Sequence, residues 1–418
     1  MIKVLVTGMG AITPLGANRH STFAGALEGR SGIAPAAESI SKWLPHVLTA
    51  AVAENPETLL DAKCAGLDRA TQFALVAAHE AMAAAGIAPK PDDAERFGVF
   101  CGIGFGGAQS VDALYTRFFN ALSGTSVPKK NPTIMHPLSV PRMMANAPAA
   151  MISMHYGLRG PSYTYSVACA SSAIAIGEAY RAIRHGYIDA AVIVGTEAML
   201  TPGALMAWNA LRVLAKPDLV DPSRSCRPFS VDRNGFVLAE GAAAIVLESE
   251  TRALQRQANP LAEIGGYGCT SDANHLTAGT EIEQARAIRQ ALDEARLEAD
   301  QVQYLNAHGT ATELGDVVEA RSIRLAFGEA ADKLAVSATK SMHGHLIGAS
   351  GILEFVIAVM AMNSGSIPPT ANLENVDPRC ELDFVPLIAR HGCAINAVMS
   401  NSFAFGGSNA SLLARKYA

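Results

Sequence analysis

Charge is scarce in this chain. Lys, Arg, Asp and Glu make up only 17% of its 418 residues and leave a net charge of −5. Such a chain lacks the basic surface that wholesale nucleic-acid binding requires, so that class is set aside. Paired cysteines are missing as well. The seven cysteines (64, 101, 169, 226, 269, 380 and 393) are odd in number, widely scattered and contain no CxxC. This excludes a disulfide framework and fits a reducing compartment. No stretch of 18 or more uninterrupted apolar residues occurs, and the opening MIKVLVTGMG reads as strand and turn, not as a leader. Neither a membrane span nor a signal peptide is expected, and the expectation is a soluble, cytoplasmic protein. Low-complexity segments and long linkers are absent too.

Half of the residues are hydrophobic, enough for a large core in two domains or one duplicated one. The stretch Ser162–Gly186, SYTYSVACASSAIAIGEAYRAIRHG, organises the rest. Its near alternation up to Val167 reads as a strand, and the small and apolar residues after Cys169 read as a buried helix stopped at His185-Gly186. Cys169 then sits at a helix N-terminus, where free N–H groups and the helix dipole favour a thiolate and could hold an oxyanion. Taken alone, the stretch reads first as that of a small buried cysteine in an α/β core.

Strand-like segments are expected at Ile2–Thr7, Phe97–Ile103, Ala190–Val194, Phe236–Leu247 (two short strands around Gly241), Ala262–Gly268, Val302–Asn306, Leu334–Ala338 and Ile395–Phe403 with Ser411–Arg415. Helices are expected at 68–86, 281–297 and Gly348–Met362, with irregular stretches at 123–142 and 202–235. Gly8-Met9-Gly10 reads as a turn, but Thr13 and Pro14 spoil a dinucleotide fingerprint. Strands alternating with helices imply mainly parallel sheet covered on both faces. The order repeats from about residue 258, so a duplicated chain is expected, divided into residues 1–257 and 258–418.

Two further segments carry histidines out of strand ends: Tyr304-Leu-Asn-Ala-His308-Gly-Thr-Ala-Thr-Glu-Leu-Gly-Asp316 and Lys340-Ser-Met-His343-Gly-His345. Both belong at the carboxyl edge of a sheet, as Cys169 does, which is where α/β sites assemble. A cysteine with distant histidines is a nucleophile arrangement. As a metal set, Cys169, His308, His343 and His345 lack helical i,i+4 spacing, a CxxC pair and a carboxylate cluster, so no metal is expected.

VACASS at 167–172, NAHGTATELGD at 306–316, KSMHGHLIGASGILE at 340–354 and NSFAFGGSNA at 401–410 resemble the signatures of the elongating β-ketoacyl-acyl-carrier-protein synthases. These are ketosynthases of type II fatty-acid or polyketide synthesis, and the similarity covers essentially the whole chain. The resemblance implies a thiolase-like α/β fold: a duplicated αβαβα five-layer sandwich with two mixed, mainly parallel sheets. It implies that Cys169 takes an acyl group and that His308 and His345 hold the malonyl thioester carbonyl during decarboxylation. Lys340 and Glu354 match a supporting charged pair, and Asp316 braces the His308 loop. The backbone N–H groups of Cys169 and Phe405 match the oxyanion donors.

Phe403 and Phe405 match the gate, with hairpin core the preferred reading for Phe403. Phe105 matches a position at the far end of the acyl pocket, or alternatively faces a dimer partner. His343 stands where the family commonly has Thr, which would bring a third imidazole near the site. Few basic residues surround Lys63–Thr71; Arg69 and Arg212, with Lys129 and Lys130, remain as contacts for an acyl carrier protein. No resident cofactor is implied, since phosphopantetheine arrives on the carrier. The resemblance further implies acyl and malonyl thioester substrates and a homodimer, or a heterodimer with a chain-length-factor-like subunit. The other readings are a thiolase or initiating synthase of the same fold, which uses a Cys-His-Asn set, and a non-catalytic chain-length-factor-like subunit, which Cys169 opposes.

Overall fold

The computed structural model describes residues 1–123 and 136–417. Its strands, in chain order, are β1 Val4–Ile12, β2 Ala34–Pro35, β3 Leu48–Ala50, β4 Phe97–Gly102, β5 Ser162–Tyr165, β6 Ala190–Glu197 and β7 Leu238–Ala239. They continue with β8 Gly241–Ser249, β9 Ala262–Ser271, β10 Tyr304–Asn306, β11 Ala335–Ser337, β12 Ala397–Phe403 and β13 Ser408–Arg415. Ten of them form one sheet, in the order β11-β10-β12-β13-β9-β1-β8-β6-β4-β5, and β2, β3 and β7 form a small one.

The two expected sheets are therefore joined edge to edge, where Val4–Val6 of β1 pairs antiparallel with Ala262–Ile264 of β9. Parallel pairing is confined to the flanks, β10 with β11 and β12, and β4 with β5 and β6. At the centre of this sheet every pair is antiparallel: β12 with β13, β13 with β9, β9 with β1, β1 with β8 and β8 with β6.

Helices complete the expected five layers. The Arg69–Ala84 helix packs on β1, β8 and β6; the Ser171–Arg184 and Ser350–Ser364 helices lie against each other between the two halves of the sheet; Glu281–Ala295 covers β9 and β13 from the far side, with Glu313–Phe327 packed against it. Burial on both faces explains the continuous apolar strands, with β4, β6 and β8 buried throughout. The segment Ile347–Ser364, 18 residues of mean hydropathy 1.6, is 83% buried inside the protein and is a core helix.

Three sequence expectations change. Of the stretch read as irregular at 123–142, residues 124–135 lie outside the described residues and Ser139–Met143 is a short helix. Gly8-Met9-Gly10 is strand, not turn: a Cβ on Gly8 would lie 2.1 Å from the Ala81 carbonyl oxygen, and one on Gly10 2.2 Å from that of Ala77. Those glycines let the Ala-rich helix approach the sheet. Within 202–235, Pro202–Ala210 is a helix, with Thr201 as its N-cap and Pro202 in the first turn.

Candidate active site

Cys169 occupies the elbow between β5 and the Ser171–Arg184 helix. Ala168 before it has φ +44°, a left-handed conformation that strains an alanine. Ser171 holds it there: its Oγ accepts the Val167 N–H at 2.8 Å and donates to the Ala168 carbonyl at 2.6 Å. The sulfur is thereby presented to a cavity of about 1450 Å³ that His308, His345, Phe403 and Phe405 also line.

His345 is placed by its backbone. Gly344 has φ +71°, and the His345 N–H donates to the Val237 carbonyl at 2.7 Å beside β7. Its Nε2 lies 3.1 Å from Cys169 Sγ, and its Nδ1 accepts the Ile347 N–H at 3.2 Å with Ser350 Oγ at 2.8 Å. Because Nδ1 is an acceptor, the imidazole proton sits on Nε2 and points at the sulfur.

His308 leaves the end of β10. Its N–H and that of Gly309 each donate at 2.7 Å to the buried carboxylate of Glu319. Its Nδ1 faces the Lys340 ammonium at 3.4 Å, a group that only donates, so His308 too carries its proton on Nε2. The two rings stand edge to face with centroids 5.5 Å apart. Burial first, then the charge of Lys340, holds both imidazoles well below the ordinary histidine value, so both are neutral donors at pH 7.

Lys340 and Glu354 are fully buried and bonded at 2.5 Å, and Lys340 also donates to the His308 carbonyl at 2.5 Å. Asp316 accepts from Phe229 N–H at 2.7 Å and from Ala311 N–H at 3.0 Å, which braces the loop after His308. Arg233, missed in the sequence, clamps the same loop through the Thr312 carbonyl at 3.0 Å and Asp377 at 2.6 Å. Glu319 was missed too, although its spacing three residues after Asp316 on one helix face was a usable signal.

Several expectations are corrected by long-range partners. Burial pushes the Cys169 thiol up to about 12, against the opposing charge of Lys340 and the Phe405 N–H directed at the sulfur. Burial therefore opposes the thiolate that the helix position of Cys169 favours. His343 does not approach the cavity; its Nδ1–H donates to the Gly344 carbonyl at 2.7 Å and its Nε2 accepts from Thr339 Oγ1 at 3.0 Å.

Phe105 is 64% exposed and is not among the described residues that line the cavity. The buried Glu197 carboxyl takes the Gly104 N–H at 2.8 Å and the Phe105 N–H at 3.3 Å, which fixes the backbone of the loop that carries the outward-facing ring. Arg69 is a strut and not a docking group, bidentate to Glu240 at 2.7 and 3.0 Å and stacked over Phe73. Arg212 is exposed at the cavity mouth with Lys216, while Lys129 and Lys130 lie outside the described residues. Phe403 is buried against His308 and yet lines the cavity, so core and site share it.

The family model for the beta-ketoacyl synthase N-terminal domain matches residues 1–253, and that for the C-terminal domain matches residues 261–374. The chain belongs to the beta-ketoacyl synthase family. It is 38% identical over 420 residues to the 3-oxoacyl-[acyl-carrier-protein] synthase 2 of Staphylococcus aureus strain MRSA252, covering 100% of this chain and 99% of that one. The synthase of the same name from Synechocystis is also 38% identical, covering 99% and 98%. Among solved structures, a beta-ketoacyl synthase from Burkholderia phymatum superposes with TM-score 0.88 at 34% identity. A type II polyketide ketosynthase solved with its acyl-carrier protein and a hexaketide superposes at 0.91 with 27% identity; both matches cover 100% of each chain. The chain is an acyltransferase-type condensing enzyme of the thiolase-like fold.

Proposed function

We propose that this ketosynthase is a 3-oxoacyl-carrier-protein synthase that joins an acyl group to malonyl units on an acyl carrier protein. The observation that carries this reading is the convergence of Cys169 Sγ with two imidazoles that each present an Nε2–H to one cavity. Cys169 attacks the acyl-carrier thioester; its proton goes to the departing carrier thiolate, and the acyl group stays on sulfur. As the thiol ionises, the His345 Nε2–H and the Phe405 N–H stabilise the growing sulfur charge.

Malonyl-carrier then enters, and its thioester carbonyl lies between His308 and His345. Loss of CO₂ leaves an enolate whose oxygen takes two N–H bonds, worth most in a site this dry. The enolate carbon attacks the Cys169 thioester. The tetrahedral oxyanion lies against the N–H groups of Cys169 and Phe405, then collapses, expelling the Cys169 thiolate, which regains a proton from solvent. The product is a 3-oxoacyl chain two carbons longer.

No resident cofactor is needed in this scheme. Ligand atoms of Cys169, His308 and His345 lie within 4.8 Å of one another, as a metal would require, but the Lys340 ammonium beside His308 opposes an added cation.

The same reading includes a dimer, of identical chains or with a chain-length-factor-like subunit. β5 is an edge strand, Tyr163 on it is 55% exposed, and Phe105, in the loop that follows its neighbour β4, is 64% exposed. That edge and its apolar residues favour strand-to-strand pairing across a two-fold axis. Intact mass after incubation with acyl-carrier, then with malonyl-carrier, tests the function: the adduct must form on Cys169 and be discharged as a 3-oxoacyl-carrier. A protein that never gains the acyl mass sinks this reading.

A further inference from the structure

One wall of the cavity beside Cys169 is aromatic, and its centre is Trp208. The indole is only 8% exposed, lines the cavity and shares the apolar packet around the nucleophile. It stacks on Phe405 with centroids 6.3 Å apart and planes at 29°, and meets Phe236 edge-on at 5.7 Å. Phe236 in turn meets the His345 ring edge-on at 5.0 Å. The indole N–H donates to Met199 Sδ at 3.2 Å, which fixes the orientation of the ring. Met199 and Leu205 are fully buried, so the apolar packet around the ring is close-packed.

We propose that Trp208 is the residue that selects the acyl group Cys169 accepts, favouring flat conjugated acyl chains and opposing long saturated ones. The proposal rests on Cys169 as the acyl acceptor. A conjugated chain is planar before it binds, offers a π face to the indole and freezes few torsions on entry. A saturated chain must freeze every torsion, and a long one must also displace the packed side chains around the indole.

The test uses the full-length protein with pantetheine thioesters of octanoyl, hexadecanoyl and 2,4,6-octatrienoyl groups, reading the rate of adduct formation on Cys169 by intact mass. Wild type should take octatrienoyl about tenfold faster than octanoyl, with hexadecanoyl slowest. Trp208→Ala should bring the first ratio to near one and speed hexadecanoyl about tenfold. Trp208→Leu keeps apolar bulk without a π face, so it should lose the preference for octatrienoyl while staying closed to hexadecanoyl. A wild type that takes all three equally, or a Trp208→Leu variant that keeps the wild-type ratio, overturns the assignment. If no thioester adds mass to wild type while iodoacetamide still alkylates Cys169, the acyl-acceptor reading has failed and the proposal falls with it.

Discussion

His345 Nε2 stands 3.1 Å from Cys169 Sγ with its proton directed at the sulfur, because Nδ1 is occupied by the Ile347 N–H. His345 therefore faces Cys169 as a hydrogen-bond donor and not as an acceptor for its proton. His345→Ala and His308→Ala should each still become acylated on Cys169, while CO₂ release from malonyl-carrier falls about 10²–10³-fold for each lost donor. Cys169→Ala should show the converse, releasing CO₂ without condensing. A His345→Ala enzyme that cannot be acylated but still decarboxylates would reverse these roles.

Alkylation should follow access more than thiolate character. Burial holds Cys169 up at about 12, whereas Cys269 and Cys393 are partly exposed. Iodoacetamide at neutral pH should modify Cys393 or Cys269 at least as fast as Cys169, and only an acyl thioester should choose Cys169 cleanly. Peptide mapping of a time course reads the order.

Removing Lys340 strands the Glu354 carboxylate in a fully buried site. Lys340→Met should lower stability by about 3–5 kcal/mol in denaturant unfolding. Lys340→Met with Glu354→Gln should recover part of that loss and yet leave decarboxylation impaired, since His308 has lost the donor that fixes its tautomer.

Arg69 and Arg212 should separate cleanly. Arg69 is partly exposed, so Arg69→Ala should cost about 1–3 kcal/mol by leaving Glu240 unpaired, with KM for acyl-carrier unchanged. Arg212→Ala should leave unfolding unchanged and raise that KM, an effect that salt should mask.

Glu197 gives the protein a pH dependence of defined sign. Burial raises its carboxyl to about 8 despite N–H donors from Gly104, Phe105 and Gly348, and burial likewise raises Asp316 and Glu354 to about 7. A carboxyl raised on folding stabilises fully below its unfolded value and loses that contribution as pH climbs through the folded one. Stability should therefore fall between about pH 4.5 and 8, at up to about 1.4 kcal/mol per unit from Glu197. Glu197→Gln should flatten that slope; an unchanged slope in urea melts at stepped pH excludes Glu197 as its source.

The candidate trio was legible because local composition announces it: small residues after Cys169, and Gly beside both His308, at the end of β10, and His345, after the short helix Lys340–His343. What could not be read locally was set by partners far along the chain. The Phe105 backbone is held by Glu197 and Arg69 is captured by Glu240, and neither acceptor is near in sequence. Gly8 and Gly10 answer to a helix some 70 residues on, so the turn reading was natural and wrong. The helix carrying Trp208 did announce itself through Thr201-Pro202, but glycine and a long polar sequel masked it.

The edge-to-edge seam sets a timetable for folding. β1 finds its neighbours only in Gly241–Ser249 and Ala262–Ile264, so the centre of the sheet closes over some 240 residues of intervening chain. Loops of that length make the central pairing slow and place it late in synthesis. β1 emerges long before β8 and β9, and until they arrive only helices such as Arg69–Ala84 can cover it, a window in which aggregation competes with folding. Early growth of the chain, more than its finished stability, is where this protein is most exposed.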